Sequence, residues 1–240
     1  MKKKPLLFAV SIIVSGVLIL NTETNTQQCI NYKCHANKIP LYLKLLNFFD
    51  RHYNYTHLTK TIIKDAATDE ERMMKLFSWT RQSIKDMPEG FPVIDDHVWH
   101  IIVRGYGSSE QLQDVFTTLC NYIGLSAFFD AIFTPMRRNK KIVSFVCIDK
   151  KWLVFDAYEG VYFKNSENQL AGIDELIDGD WHAVGITGKI QSADMYKGYF
   201  EYLNQIDYGR SIFSRSAIQS PLRRLMFWLK EILYKSKKTC

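Results

Sequence analysis

The side chains with the widest chemistry in this chain are its cysteines, and their positions sort them. Cys29 and Cys34 lie together in the segment CINYKCH, and outside the cytoplasm such a pair can close a local disulfide. The same segment is a stretched form of a c-type haem attachment, with four residues between the cysteines where the attachment has two, and His35 following. A zinc site would need two further ligands, and the sequence has no second Cys/His cluster, so neither a metal nor another cofactor is expected. Cys120 and Cys147 fall in apolar helix and strand patterns, where a small buried residue is the ordinary role, and Cys240 is a free end. His97 and His100 stand ahead of a glycine turn, Gly105-Tyr106-Gly107, and are expected as hydrogen-bonded structural histidines.

The elements that would position these groups follow an α+β order. Residues 40–64, opened by Pro40 and rich in Leu, Phe and Tyr, predict one or two helices. Thr68 with Glu71 forms a capping box that starts a helix reaching about Met87, where Pro88, Gly90 and Pro92 break it. A second box, Ser108 with Gln111, opens a helix in which Leu112, Val115, Phe116, Leu119, Cys120 and Ile123 keep helical spacing until Gly124. The period then changes to strands in SAFFDAIFT, KIVSFVCID and KWLVFDAYEGVYF, with a hairpin at Asp149, Lys150 and Lys151. Residues 170–178 and 193–206 predict two further helices.

The segments GYGSSEQLQDVFTTLCNYIGLSAFF and KIVSFVCIDKKWLVFDA give a particular order: glycine turn, helix start, buried helix, strand, hairpin, Trp-x-x-x-Asp. Over about residues 70–165 this order resembles the transglutaminase-like superfamily, the papain-related thiol fold. The resemblance implies a central helix packed on an antiparallel sheet. In that family a cysteine starts the helix, where the helix N-terminus favours the thiolate. A histidine early in the next strand moves the proton, and an aspartate after the tryptophan orients the ring. Position by position, the cysteine place is Ser109, the histidine place is Ser144 and the aspartate place is Asp156, with Trp152 matching the family tryptophan. Two of the three catalytic places have changed. A serine at a helix start still needs a base, Ser144 is not one, and no histidine lies between His100 and His182. Strand alternation sets Cys147 on the face opposite Ser144, so it does not restore the thiol. Asp156 could also simply cap the turn at the end of its strand.

The resemblance therefore implies a degenerate, catalytically inactive domain: a binding or scaffolding module of the cell envelope, with polysaccharide assembly as a candidate setting. Its cleft would take a peptide, glycan or protein partner, with Tyr106, Phe128 and Trp152 as candidate walls. The alternative is a Ser109-dependent hydrolase or acyltransferase with a non-standard base.

Composition and charge frame this reading. The chain has 240 residues, 47% hydrophobic and 23% charged, which excludes a disordered or collagen-like chain. Its net charge of +6 sits at the ends. Lys2, Lys3 and Lys4 lead, and residues 221–240 hold six basic residues against Glu231, leaving 22 basic and 24 acidic residues between. A near-neutral body gives no phosphate-neutralising face, so nucleic acid is not an expected partner. Residues 5–20, PLLFAVSIIVSGVLIL, are uncharged and apolar behind the lysines. Residues 1–22 are read as an uncleaved signal anchor or transmembrane helix, with a cleaved leader as the alternative. The lysines place the N-terminus in the cytoplasm and the body of a single-pass membrane protein outside it. Residues 23–39 read as a linker carrying Cys29 and Cys34, residues 40–210 as the transglutaminase-like domain, and residues 211–240 as a basic amphipathic tail. That tail either lies in a bilayer interface, as a second membrane contact, or packs its apolar stripe on the domain or a partner.

Overall fold

In the computed structural model, which describes residues 3–30, 33–91, 94–95, 97–135, 138–188, 192–209 and 214–237, the chain begins with helix α1 (Lys3–Leu20). Among the described residues, no helix is long and apolar enough to cross a membrane. Strands β1 (Glu23–Ile30) and β2 (Lys33–Pro40) then pair antiparallel, with Cys29 and Cys34 as backbone register partners. The segment expected as a linker is thus a hairpin. The side chains of Cys29, Cys34 and His35, and with them the disulfide and haem readings, lie outside the described residues.

One long helix, α2 (Leu41–Ile62), follows Pro40. Helix α3 (Asp69–Ser83) has both arms of its capping box: Glu71 N donates to Thr68 Oγ1 at 3.1 Å, and Thr68 N donates to Glu71 Oε2 at 3.4 Å. It stops short of Met87 because the next residues, β3 (Lys85–Asp86), extend to pair in parallel with a later strand, β5 (Tyr106–Gly107). Between them lie β4 (Ile94–Asp95), paired with β1, and α4 (Val98–Arg104), which ends on Gly105 at φ +72°. That left-handed conformation suits glycine because no Cβ meets the backbone.

Helix α5 (Ser109–Tyr122) is the centre of the fold, and every residue from 111 to 121 is buried. A helix buried all round must satisfy its own polar groups. Thr117 Oγ1 donates to Gln113 O at 2.9 Å, Arg215 Nε pairs with Asp114 Oδ2 at 2.8 Å, and Asn121 Nδ2 donates to Ala127 O at 2.7 Å.

The sheet beneath it is an antiparallel meander in chain order: β6 (Ser126–Phe133), β7 (Lys140–Ile148), β8 (Lys151–Asp156), β9 (Val161–Lys164) and β10 (His182–Gly185). The expected β7–β8 hairpin closes on Asp149 and Lys150, at φ +49° and +67°, the two left-handed positions of a type I′ turn. The third apolar run divides into β8 and β9 at the turn before Gly160. Two expected helices are shorter. Helix α6 (Ile173–Asp178) starts late because Leu170 bridges to Lys164. Residues 193–206 form only 3₁₀ turns, Ala193–Met195 and Phe200–Gln205, with Gly198 at φ +82° between them. The chain closes with α7 (Pro221–Lys237).

Alternation along the strands builds two cores, one on each face of the sheet. Ala127, Val146, Leu153 and Phe155 meet α3 and α5, where the Phe77, Phe116 and Phe155 rings stand 5.3–5.5 Å apart. Phe128, Val143, Phe145, Val154 and Phe163 form the other face, covered by α6 and the 3₁₀ turns through Tyr196 and Phe200. The protein is an α+β fold with helices packed on an antiparallel sheet.

Candidate functional site

A buried glutamine organises the expected site. Gln113 lies in the second turn of α5, has no solvent exposure, and uses its whole amide group. Its Nε2 donates to Asp156 Oδ1 at 3.1 Å and to Ile142 O at 3.2 Å. Its Oε1 accepts from Ser144 Oγ at 2.6 Å and from Ala157 N at 3.1 Å. Ser144 and Asp156 therefore meet through Gln113, which joins the helix to β7, β8 and the turn after β8.

Asp156 is the most heavily bonded side chain of the cluster. Its Oδ1 accepts from Gln113 and from the backbone N–H groups of Tyr158 at 3.2 Å and Glu159 at 3.1 Å, so it caps the turn at the end of β8. Its Oδ2 accepts from Tyr196 Oη at 2.9 Å and pairs with Lys141 Nζ at 3.2 Å. The Asp156 side chain is 2% exposed and that of Lys141 18%, so the ion pair is largely shielded from solvent. Lys141 Nζ also stands 4.7 Å from the Tyr196 ring centroid. Burial, and next the Asp156 charge, push the Tyr196 phenol well above its ordinary range, so it is a firm proton donor to the carboxylate.

Ser109 is the first residue of α5, half-buried, and its hydroxyl has no hydrogen-bond partner among the described residues. It lies one turn before Gln113 on the same face of the helix. Helix and strand run in the same direction here. Gln113 meets β7 at Ile142 and Ser144, whereas Asn121 meets Ala127, whose partner on β7 is Val146. One turn back is about 5.4 Å, or between one and two strand residues. Ser109 thus stands near the level of Lys141, and Ser144 lies about one turn deeper, under Gln113. The structure joins Ser144 to Asp156 directly through one side chain and leaves Ser109 at the rim.

The candidate wall residues separate. Tyr106 flanks the start of α5: the Arg104 guanidinium lies 5.3 Å from its ring centroid and the Phe91 ring 5.8 Å. Arg104 also donates to Tyr106 O at 2.9 Å and to Gln111 Oε1 at 2.8 Å, the same oxygen that accepts from Ser108 N at 3.0 Å. Trp152 lies on the opposite face of the sheet, against Phe128 and Tyr208, each at 5.4 Å. Phe128 is a core residue of that same face. His97 and His100 pack their rings together at 5.8 Å around the start of α4. Burial pushes the Cys120 thiol well up and the Cys147 thiol up, the opposite of what an attacking thiolate requires. Among the described residues, no group of three His, Cys, Asp or Glu side chains is placed to hold a metal ion.

Gln113, Lys141 and Tyr196 are the members of the cluster that sequence reasoning missed. Gln113 carried a signal: a polar residue one turn beyond Ser109, amid Leu112, Val115 and Phe116. Lys141 looked like an ordinary strand-edge lysine. Tyr196 is 40 residues from Asp156 along the chain, in a segment expected as a helix that instead forms 3₁₀ turns.

No family profile and no curated protein matches the chain. Among solved structures it is similar to a candidate cysteine protease from Cytophaga hutchinsonii, at 12% identity and a TM-score of 0.39, over 55% of this chain and 46% of that one. A candidate protease from Parabacteroides distasonis is similar at 10% identity and a TM-score of 0.39, over 70% of this chain and 40% of that one. LapG of Legionella pneumophila, in an EGTA-treated form, is similar at 11% identity and a TM-score of 0.34, over 67% of this chain and 90% of that one. The chain spans less than half the length of the first two.

Proposed function

We propose that this protein is a membrane-anchored, transglutaminase-like domain without thiol chemistry, acting as a binding or scaffolding module at the cell envelope. One observation carries the loss of catalysis: the Asp156 carboxylate is fully engaged by Gln113, Lys141, Tyr196 and two backbone N–H groups. A carboxylate accepting from five donors is a poor base for a further proton, and Ser144 spends its proton on Gln113. Among the described residues, no hydrogen bond then links the serine at the start of α5 to a base that could take its proton. Lys141 serves the alternative reading poorly, since its Nζ is turned to Asp156 and the Tyr196 ring. The anchor rests on the uncharged run behind three lysines, and on exposed α1 residues such as Phe8 and Leu18. A peptide or glycan bound along the rim by Tyr106, Phe91 and Arg104 is the ligand class that this surface suits.

A fluorophosphonate probe applied to the full chain tests the chemistry. No labelling of wild type beyond that of Ser109→Ala is expected. Labelling that disappears in Ser109→Ala would replace this reading with a Ser109 hydrolase or acyltransferase. Extraction of the chain from membranes by alkaline carbonate would remove the anchor from the proposal.

A further inference from the structure

Helix α7 is amphipathic, yet its apolar stripe faces away from the domain. The side turned inward is Arg223 and Phe227: the Arg223 guanidinium donates to Asn121 Oδ1 on α5, and Arg224 lies 5.0 Å from the Phe48 ring centroid on α2. Just before the helix, Tyr122 Oη donates to Gln219 O at 3.1 Å. Outward stand Leu222, Leu225, Met226, Trp228 and Leu229, each 46–67% exposed. The first half of α2 repeats the pattern with Leu45, Leu46, Phe49 and Tyr53, 41–69% exposed at three- and four-residue spacing. The start of α2 is in turn tied to the segment just after α1, through Leu41 N to Thr22 O at 2.9 Å and Lys44 Nζ to Asn25 O at 2.8 Å. Three apolar surfaces, the end of α1, the first turns of α2 and the outer stripe of α7, are therefore structural neighbours. Uncovered apolar surface on this scale marks an interaction site.

We infer that the α7 stripe, with the first turns of α2 beside it, docks on the surface of an anionic lipid bilayer. The inference deepens the anchored reading above and rests on it for the position of α1. Charge selects this occupant. Apart from Arg223, which turns inward, helix α7 carries Arg224, Lys230, Lys235 and Lys237 against Glu231 alone, whereas the body of the chain is near neutral. Basic side chains beside an apolar stripe match a layer of acidic headgroups over acyl chains. Trp228, at the margin of the stripe, has the amphipathic ring that settles at the headgroup level. Continuity with α1 supplies the rest: the chain just beyond the segment proposed to enter the bilayer bonds the start of α2, Thr22 O accepting from Leu41 N, so α2 and α7 are held near the membrane plane.

The experiment uses the full chain in vesicles of phosphatidylcholine with or without phosphatidylglycerol, with bromine-labelled acyl chains as a quencher. Flotation with the vesicles reports α1, and quenching of the Trp228 signal, taken as wild type minus Trp228→Phe, reports α7. Trp228 quenching is expected in phosphatidylglycerol vesicles, to be weakened by salt, and to fall to the Trp228→Phe level in Leu225→Glu/Leu229→Glu while flotation persists. Near-ultraviolet circular dichroism of that double variant confirms the fold, since both residues are exposed. Flotation without Trp228 quenching in either vesicle overturns the inference and leaves the anchor standing. Shielding of Trp228 from iodide that rises with protein concentration and needs no lipid would also overturn it, in favour of a second copy of the chain on the stripe. Loss of flotation itself points to failure of the anchored reading.

Discussion

Replacing Gln113 by Ala should be among the most damaging single changes in the domain, for reasons that do not involve lost apolar area. The substitution deletes four hydrogen bonds at a site with no solvent exposure. Asp156 keeps four of its five partners and loses a charge-assisted bond, about 1.5–2 kcal/mol. The Ala157 N–H is left without its acceptor, about 1–2 kcal/mol. Ser144 is the cheapest loss at about 1 kcal/mol, because a hydroxyl rotates to another acceptor. Together these give roughly 4 kcal/mol, or a fall in Tm of about 8–16 °C for a domain of this size. Urea and thermal unfolding of wild type and Gln113→Ala measure it, and Ser144→Ala in both backgrounds completes a double-mutant cycle with a coupling of about 1 kcal/mol. Gln113→Glu sharpens the test. It is isosteric but sets a second carboxylate where Nε2 now stands, 3.1 Å from Asp156. Like charges so close hold one proton, so the pair titrates above the ordinary carboxyl range in the folded state. A folded-state pKa raised in this way makes Gln113→Glu most stable, relative to wild type, at low pH, with the deficit opening as pH rises through the raised value. A loss under about 1 kcal/mol in Gln113→Ala, or a Gln113→Glu deficit independent of pH, would refute the role assigned to this amide.

Lys141→Met should destabilise by about 1–3 kcal/mol, below the range for fully buried pairs because Asp156 keeps four other partners, and adding Asp156→Asn should cost less than the sum of the two single changes. Glu175 accepts from Lys151 Nζ at 2.8 Å, Gly172 N at 2.6 Å and Asn165 Nδ2 at 2.8 Å, and these bonds hold its carboxyl down at about 2. A depressed folded-state value contributes stability that is complete above the ordinary 4.5 and lost as pH falls towards 2. The advantage of wild type over Glu175→Gln in denaturant titrations should therefore shrink across that window, and a constant difference would count against the assignment. Restoring the thiol and base as Ser109→Cys/Ser144→His should leave iodoacetamide reactivity at the level of Ser109→Cys alone, because Gln113 covers position 144. Adding Gln113→Ala should raise that reactivity at neutral pH, and no gain in the triple variant would remove the link between the three places.

The sequence signals that proved most reliable were local ones. Thr68 with Glu71 marked the start of α3, Ser108 the cap of α5, and Asp149 with Lys150 the β7–β8 turn, because capping and turn chemistry act within four residues. Ser144 and Asp156 are set together by the family resemblance, and the β7–β8 register places Ser144 opposite Phe155, the neighbour of Asp156. Three features needed the third dimension. The end of α3 depends on β5, about twenty residues away in sequence, taking Lys85 and Asp86 as a partner strand. Trp152 looked like a cleft residue until the parity of β8 assigned it to the far face, with Phe128 and Tyr208. The side-chain partners of Asp156 come from α5, β7 and the end of a 3₁₀ turn, so no short window of sequence contains them.

Helix α5 also sets a problem for synthesis. Eleven consecutive residues of it end up buried, and half of their surroundings is a sheet encoded after the helix. From Tyr122 to the end of β7 is about 26 residues, or between one and five seconds of elongation at ordinary rates. During that interval Leu112, Val115, Phe116 and Leu119 have only α2, α3 and α4 to cover them. The meander that follows pairs each strand with the one made just before it, so once β6 and β7 emerge the sheet closes by local contacts, the fast kind. The vulnerable period of this protein is therefore a few seconds long and falls between its central helix and its second long strand.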